Sequence, residues 1–437
     1  MTEASTRSWI VLGAAALAYM FAVLQRSSLG VMGLTASAHF HASAGIVATF
    51  MVLQLAVYAA AQLPAGMLLD RVGPRLVITL GAVLMTIGQL LIAVSDQIPM
   101  AIVARVLVGA GDACTFGAAI RLLPVWFPPR QVPMLTQITA LLGQVGQIGS
   151  TVGLVTLVEN RGWRTTYLVA AGIAAVGIVT SAVLLRDAPP GATGQRSTIP
   201  LREMPQDLLE VIRHPATGVA FWCHWSTNFA GIVYSMMWGM PYLTRAEGRS
   251  TAAASTLMTC YVLASAMSGP IAARLTRQNP LNRASLVVFM VSLSVAPWIA
   301  VLLWPGRAPL WLLMVLSVCL GLSIPGGSVG IDVLRTEHQP HRLGAATGTA
   351  IMGGFTAALI LIQAIGLLLD WLCPGGAYTL TGFRWAMSSQ LVLFAVGILG
   401  ILDCRRRLRR RMVAEGIELP PWHDVITHQS ARLDHQV

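Results

Sequence analysis

Apolar runs of about 18 residues or more recur along nearly the whole chain, interrupted only by short segments rich in Arg, Pro and Gly. Each run is long enough to cross a hydrocarbon core of about 30 Å at about 1.5 Å of rise per residue. A chain written this way belongs in a bilayer. Of 437 residues, 55% are hydrophobic and 11% charged, which leaves more apolar surface than one soluble core could hide. A soluble enzyme is excluded.

The punctuation between runs places crossings near 9–31, 44–68, 75–94, 98–123, 132–158 and 164–186, then 217–242, 251–274, 283–304, 308–333, 343–371 and 384–404. The stretch from Asp187 to Pro215 is polar and rich in Pro and Gly, too charged to enter lipid, and carries a short amphipathic helix from Glu203 to Arg213. The expected organisation is an N-terminal six-helix bundle (1–190), a linker (191–216), a C-terminal six-helix bundle (217–404) and a basic tail (405–437). The run from Trp9 is too long for a signal-peptide core and reads as the first crossing.

All 29 basic residues are Arg, which suggests a high-G+C genome. They lie mostly in short segments between runs, not in one face or stripe, so the net charge of +11 indicates topology and no nucleic-acid partner. Alternating the loops puts 20 Arg on the side of the N-terminus and 6 on the other, with Arg26, Arg105 and Arg121 inside crossings. By the positive-inside rule both termini are cytoplasmic, and the run from Arg405 to Arg411 anchors the last crossing against anionic lipid. A bacterial plasma membrane is the expected location and a monomer the expected state. The six Cys residues show no C-x-x-C spacing and imply neither disulfides nor a zinc site.

The two halves resemble one another. Gly162-Trp163-Arg164 opens the sixth crossing and Gly382-Phe383-Arg384 the twelfth, while Arg71 and Arg75 follow the second crossing as Arg274 and Arg277 follow the eighth. Such duplication is how alternating-access transporters are built, with the substrate site between the halves near the midplane.

After the second crossing the chain reads Gly66-Met-Leu-Leu-Asp70-Arg71-Val-Gly73-Pro-Arg75. This resembles the signature loop of the major facilitator superfamily, G-x-x-x-D-R-x-G-R-R, and departs only at Pro74. The resemblance covers the whole chain and implies the major facilitator fold: twelve transmembrane helices in two pseudo-symmetric six-helix bundles. It assigns Gly66, Asp70, Arg71, Gly73 and Arg75 to gating, as a latch that holds one conformation. In the fourth crossing, Arg105-Val-Leu-Val-Gly109-Ala-Gly111-Asp112 resembles the superfamily's R-x-x-x-G-x-G pattern. Arg105 and Asp112 share a helix face about 10 Å apart, and ionisable groups inside a crossing normally face a wet cavity or a partner. Both are expected to face the central cavity, with Arg26 of the first crossing at the depth of Arg105, which makes a pocket selective for anions.

Local patterns further resemble the anion:cation symporter branch: Arg26, Tyr58-x-x-x-Gln62-x-Pro64-x-Gly66, the acid seven after Arg105, Trp126-Phe127-Pro128-Pro129 and Trp238-Gly-Met-Pro241-Tyr242. Gln25 stands where many of that branch carry an acid. The resemblance implies proton-coupled uptake of a small organic anion, a carboxylate or sugar acid, with Arg26 binding the anion, Tyr58 on the cavity wall and Asp112 carrying the coupling proton. No cofactor beyond that proton is expected. Further cavity candidates are Trp238 and, with amides deep enough to need partners, Gln144, Asn228 and Gln363. The rival reading is a proton-driven drug or metabolite exporter of the same fold, although the fifth crossing lacks the Gly-Pro pair usual in those proteins. A membrane enzyme or metal protein using Asp332, Glu337, His338 and His341 is a remote alternative. Pro340 interrupts the histidines, and the interleaved Arg335 and Arg342 favour a network of ion pairs at a gate.

Overall fold

The computed structural model describes residues 5–41, 44–189, 204–278, 283–373 and 378–416. Half of the expected linker (191–203) and the end of the basic tail therefore lie outside the described residues. The described residues form twelve helical crossings. The first four are α1 (Thr6–Val31), α2 (Ala44–Val72), α3 (Pro74–Val94) and α4, which runs Ile98–Ala113 and then Phe116–Trp126. A continuous stretch from Val132 to Leu184 holds two crossings, α5 (132–161) and α6 (163–184), because Gly162 takes φ 77°, ψ 176° and reverses the chain. Only Gly tolerates that backbone without cost.

The second half begins with α7 (215–246), an α-helix interrupted by π-helical turns at Tyr234–Trp238 and Tyr242–Ala246. It continues with α8 (Thr251–Gln278), α9 (Arg283–Leu303), α10 (Leu310–Ser323, then Gly326–Glu337), α11 (Leu343–Leu372) and α12 (Leu380–Ala414). The amphipathic helix expected in the linker forms at Met204–Arg213. The last crossing is longer than the sequence implies: Thr379 caps its start through Gly382 N, and its end runs into the Arg cluster.

Each half repeats one plan. Trp9 at the start of α1 meets Phe127 at the end of α4, ring centroids 5.2 Å apart, as Thr217 at the start of α7 meets His338 at the end of α10 at 2.8 Å. Both α4 and α10 break at the same depth, α4 at Cys114 and Thr115 and α10 at Ile324 and Pro325. The outer faces are apolar. Leu303 and Trp371 are each 78% exposed, a position that large hydrophobic side chains hold only against lipid. Small residues bring the helices close: a Cβ on Gly143 would stand 2.4 Å from the Tyr19 ring, and one on Gly146 would stand 2.0 Å from the carbonyl of Met20, so α5 packs tightly on α1.

Candidate functional site

At the level of the two helix breaks, a cavity of about 600 Å³ lies between the halves. The N-terminal half contributes Tyr19, Arg26, Tyr58, Gln137 and Gln144, and the C-terminal half contributes His224, Asn228, Tyr261, Ser328 and Phe355. Among the described lining residues, Arg26 carries the one fixed charge.

Arg26 is held from behind. Its Nε donates to Asp112 Oδ2 at 2.6 Å and its Nη2 donates to Asp112 Oδ1 at 3.0 Å, a bidentate pair across α1 and α4. The Asp112 side chain is fully buried and the Arg26 side chain is 13% exposed, so the carboxylate is screened from the cavity by the guanidinium it neutralises. Asp112 occupies the last turn before the α4 break, which lets it reach α1. In front, the Arg26 Cζ lies 4.9 Å from the Tyr58 ring centroid and 5.9 Å from that of Phe355, and these two rings touch across the halves at 4.3 Å. Aromatic faces stabilise the cation without neutralising it.

Arg105 does not share this cavity. It is fully buried inside the N-terminal half, donating from Nη2 to Gln89 Oε1 at 3.0 Å and from Nη1 to Ser28 Oγ at 3.4 Å. Gln89 Nε2 in turn donates to Gln25 Oε1 at 2.8 Å, and Gln25 Nε2 donates to the carbonyl of Ala170 at 2.9 Å. The chain of amides ties α1, α3, α4 and α6 together. The expectation of two guanidiniums at one level facing the cavity is therefore corrected. The seven-residue spacing sets Arg105 and Asp112 on one side of α4, but Arg105 is taken up by Gln89 of α3 and Ser28 of α1, whereas Asp112 pairs with Arg26.

Trp238 and Gln363 are likewise absent from the cavity wall. The Trp238 Nε1 donates to the carbonyl of Ile362 at 3.3 Å, and the Gln363 side chain is exposed. Gln144 and Asn228 do line the cavity. Sequence reasoning missed His224, Ser328 and Phe355. A polar residue deep in α7 was a signal for His224, whereas nothing in the pattern distinguishes Phe355 from a packing residue.

On the side of the termini the halves are clasped. The Asp70 carboxylate accepts from the backbone N–H groups of Gly344 at 2.7 Å and Ala345 at 2.8 Å, and Arg121 Nη2 lies 3.7 Å from it. These N–H groups are the orphan donors of the first turn of α11, so the acid of one half caps a helix of the other. Gly66 and Gly344 permit the approach: a Cβ on Gly66 would stand 2.3 Å from the Gly344 carbonyl oxygen. Gly73 and Arg75 act within the N-terminal half. Gly73 has φ 89°, the Arg75 N–H donates to Asp187 at 2.9 Å, and its guanidinium donates to the carbonyl of Ala182 at the end of α6. Arg71 is exposed.

A second clasp runs from α10. Arg335 pairs with Asp332 of its own helix, and its Nη2 donates to the Ile120 carbonyl and to Thr136 Oγ1, both at 3.4 Å, in the other half. Arg342 pairs with Asp207 and with Glu210 at 2.8 Å, fastening the linker helix beside α11. His338 lies against His214, ring centroids 4.4 Å apart and the planes tilted by 54°. Burial and the neighbouring positive groups push its pKa down to about 4, so the ring is neutral where it meets Thr217.

Residues 15–360 match the sequence profile of the Major Facilitator Superfamily. The chain belongs to this family. It is 24% identical to the oxalate:formate antiporter of Oxalobacter formigenes over half of each chain. It is 27% identical to the tetracenomycin C resistance and export protein of Streptomyces glaucescens, over 42% of this chain and 34% of that one. The chain thus spans half or less of the length of these curated relatives. In fold, this facilitator is similar to a bacterial homologue of the iron transporter ferroportin, solved in an outward-facing state. The TM-score is 0.72 at 13% identity, and the match covers 92% of this chain and 99% of that one. The family consists of transporters, and the clasp at Asp70 sits in the loop that resembles its signature.

Proposed function

We propose that this facilitator takes up a small organic anion together with a proton, by alternating access, across a bacterial plasma membrane with both termini in the cytoplasm. The observation that carries this reading is the Arg26–Asp112 pair, a cation on the cavity wall backed by a buried acid. Similarity to an oxalate:formate antiporter supports an anionic cargo.

The pair offers a coupling rule. With Asp112 ionised the site is neutral, and an incoming carboxylate competes with Asp112 for the same guanidinium. A proton on Asp112 releases that guanidinium, and the carboxylate restores neutrality. A site holding the proton without the anion carries a net positive charge in a low-dielectric interior, which costs several kcal/mol. Empty and fully loaded sites are both neutral, so these are the forms that cross. Asp70 and Arg335 hold the cytoplasmic side shut while the anion enters from outside. Separation of α2 from α11 then opens the inward path. Gln144 and Asn228 complete the polar wall as substrate contacts, and the protein acts as a monomer.

Similarity to an export protein favours a second reading, a proton-driven exporter of the same fold. Vesicles containing the purified protein distinguish the two. Accumulation of a labelled carboxylate driven by an inward proton gradient supports uptake, whereas binding of cationic dyes without carboxylate accumulation supports export.

A further inference from the structure

His224 on α7 is 7% exposed, lines the cavity, and its Nδ1 has no hydrogen-bond partner. Two glycines make its place. A Cβ on Gly354 of α11 would stand 2.5 Å from His224 Nδ1, and one on Gly327 of α10 would stand 2.8 Å from Cδ2. The imidazole is thus wedged between two bare backbones, with Nδ1 buried against Gly354 while the residue lines the cavity. A buried polar ring held this way costs stability unless something completes it. Asn228, one turn along α7, and Ser328 of α10 line the cavity beside it.

His224 and Arg26 come from opposite halves and flank the same ring. Phe355 lies 5.9 Å from the Arg26 Cζ and 6.3 Å from the His224 ring, so the two side chains stand at most the sum of these separations apart. Allowing about 3 Å for a hydrogen bond at each end, the groups that meet them are separated by no more than about 6 Å. A short carbon skeleton of up to about six atoms fits within that limit.

We propose that His224 is a substrate-binding and specificity-determining residue that reads a hydroxyl on the small carboxylate cargo. Its carboxylate meets Arg26, and a hydroxyl at its far end meets His224, with Asn228 and Ser328 available beside it. A single negative charge matches the one fixed cation of the wall, and the neutral second pole matches a hydroxyl. This proposal rests on the anion-binding reading of Arg26. It adds that the substrate bridges the halves, so that binding itself draws α7, α10 and α11 toward α1.

The test is binding to the purified protein by calorimetry, with gluconate and hexanoate as probes that share a carboxylate and a six-carbon skeleton and differ in hydroxyls. Wild-type protein is expected to prefer gluconate by about tenfold or more. His224→Ala should lower gluconate affinity by about tenfold and leave hexanoate unchanged, and His224→Gln, which keeps a hydrogen-bonding group, should recover part of the loss. Equal affinity of the two probes for wild type, or equal effects of His224→Ala on both, overturns the role of His224 while Arg26-dependent binding stands. Gluconate binding untouched by Arg26→Ala, or no carboxylate binding at all, overturns the anion-binding reading and this proposal with it. The probe comparison on wild type stays decisive even where a variant misfolds.

Discussion

Arg26 and Asp112, 86 residues apart in sequence, form a bidentate pair in which the guanidinium touches the central cavity and the carboxylate does not. The arrangement makes the acid's charge visible to a substrate only through the arginine. If the cargo is the proposed anion, mutations at the two positions should have opposite effects on its binding.

Replacing Asp112 by Asn removes the internal competitor and keeps the hydrogen-bonding shape. Anion affinity near neutral pH should rise several-fold and lose its dependence on pH. Exchange of labelled for unlabelled anion should persist, while accumulation driven by a proton gradient should vanish. Full gradient-driven accumulation by Asp112→Asn in vesicles would remove the coupling role.

Arg26→Ala should lower carboxylate affinity by about a hundredfold, the loss expected for a charge-assisted contact together with an uncompensated acid behind it. Arg26→Lys should recover little, because an ammonium cannot hold Asp112 in two-point geometry. Calorimetric affinities for both variants check this, and an unchanged value for Arg26→Ala would move the binding site elsewhere.

Arg105 gives the contrasting case. Its partners are amides and a hydroxyl inside one half, so Arg105→Ala should lower the melting temperature by several degrees and leave the anion affinity of the folded fraction within about twofold. An intact melting temperature with lost affinity would return Arg105 to the binding site.

The clasp on the side of the termini is testable by packing. A methyl group on Gly344 would stand 2.6 Å from Asp70 Oδ1, so Gly344→Ala should open the contact between α2 and α11. Thiol-reagent labelling of a cysteine placed in the cavity should then become faster from the side of the termini. Asp70→Asn should act in the same direction by weakening the cap on α11. Labelling rates equal to those of the parent protein carrying the same cysteine would show that neither residue holds the gate.

Acid should loosen the junction of α7 with α10. The folded pKa of His338 is about 4, below the ordinary histidine value, so the unfolded chain binds more protons between the two. Stability attached to this residue is fully present above the ordinary value and is lost as pH falls toward 4. Wild-type protein should lose a few degrees of melting temperature on going from pH 7 to pH 5, and His338→Gln should lose less. Parallel acid profiles for the two would show that His338 contributes nothing to the effect.

Hydropathy is a local property, and the lipid environment converts it directly into structure. The amino-acid sequence alone therefore determined twelve crossings, their duplication, the polar linker helix and the acid at the latch. Gly66 and Asp70 were legible through their resemblance to the signature loop, and the structure places both at the contact between α2 and α11, where a tight approach and a buried acid at a helix end each demand a particular residue type. The rotation of each helix about its own axis is not local. It depends on which neighbour covers which face, and that decided that Arg26 reaches the cavity while Arg105 is sealed beneath α3, that Trp238 and Gln363 stay off the wall, and that His224 stands on it. Only the packed tertiary structure set those rotations, because an apolar helix carries too little periodicity for its sequence to say which side meets lipid and which meets the other half.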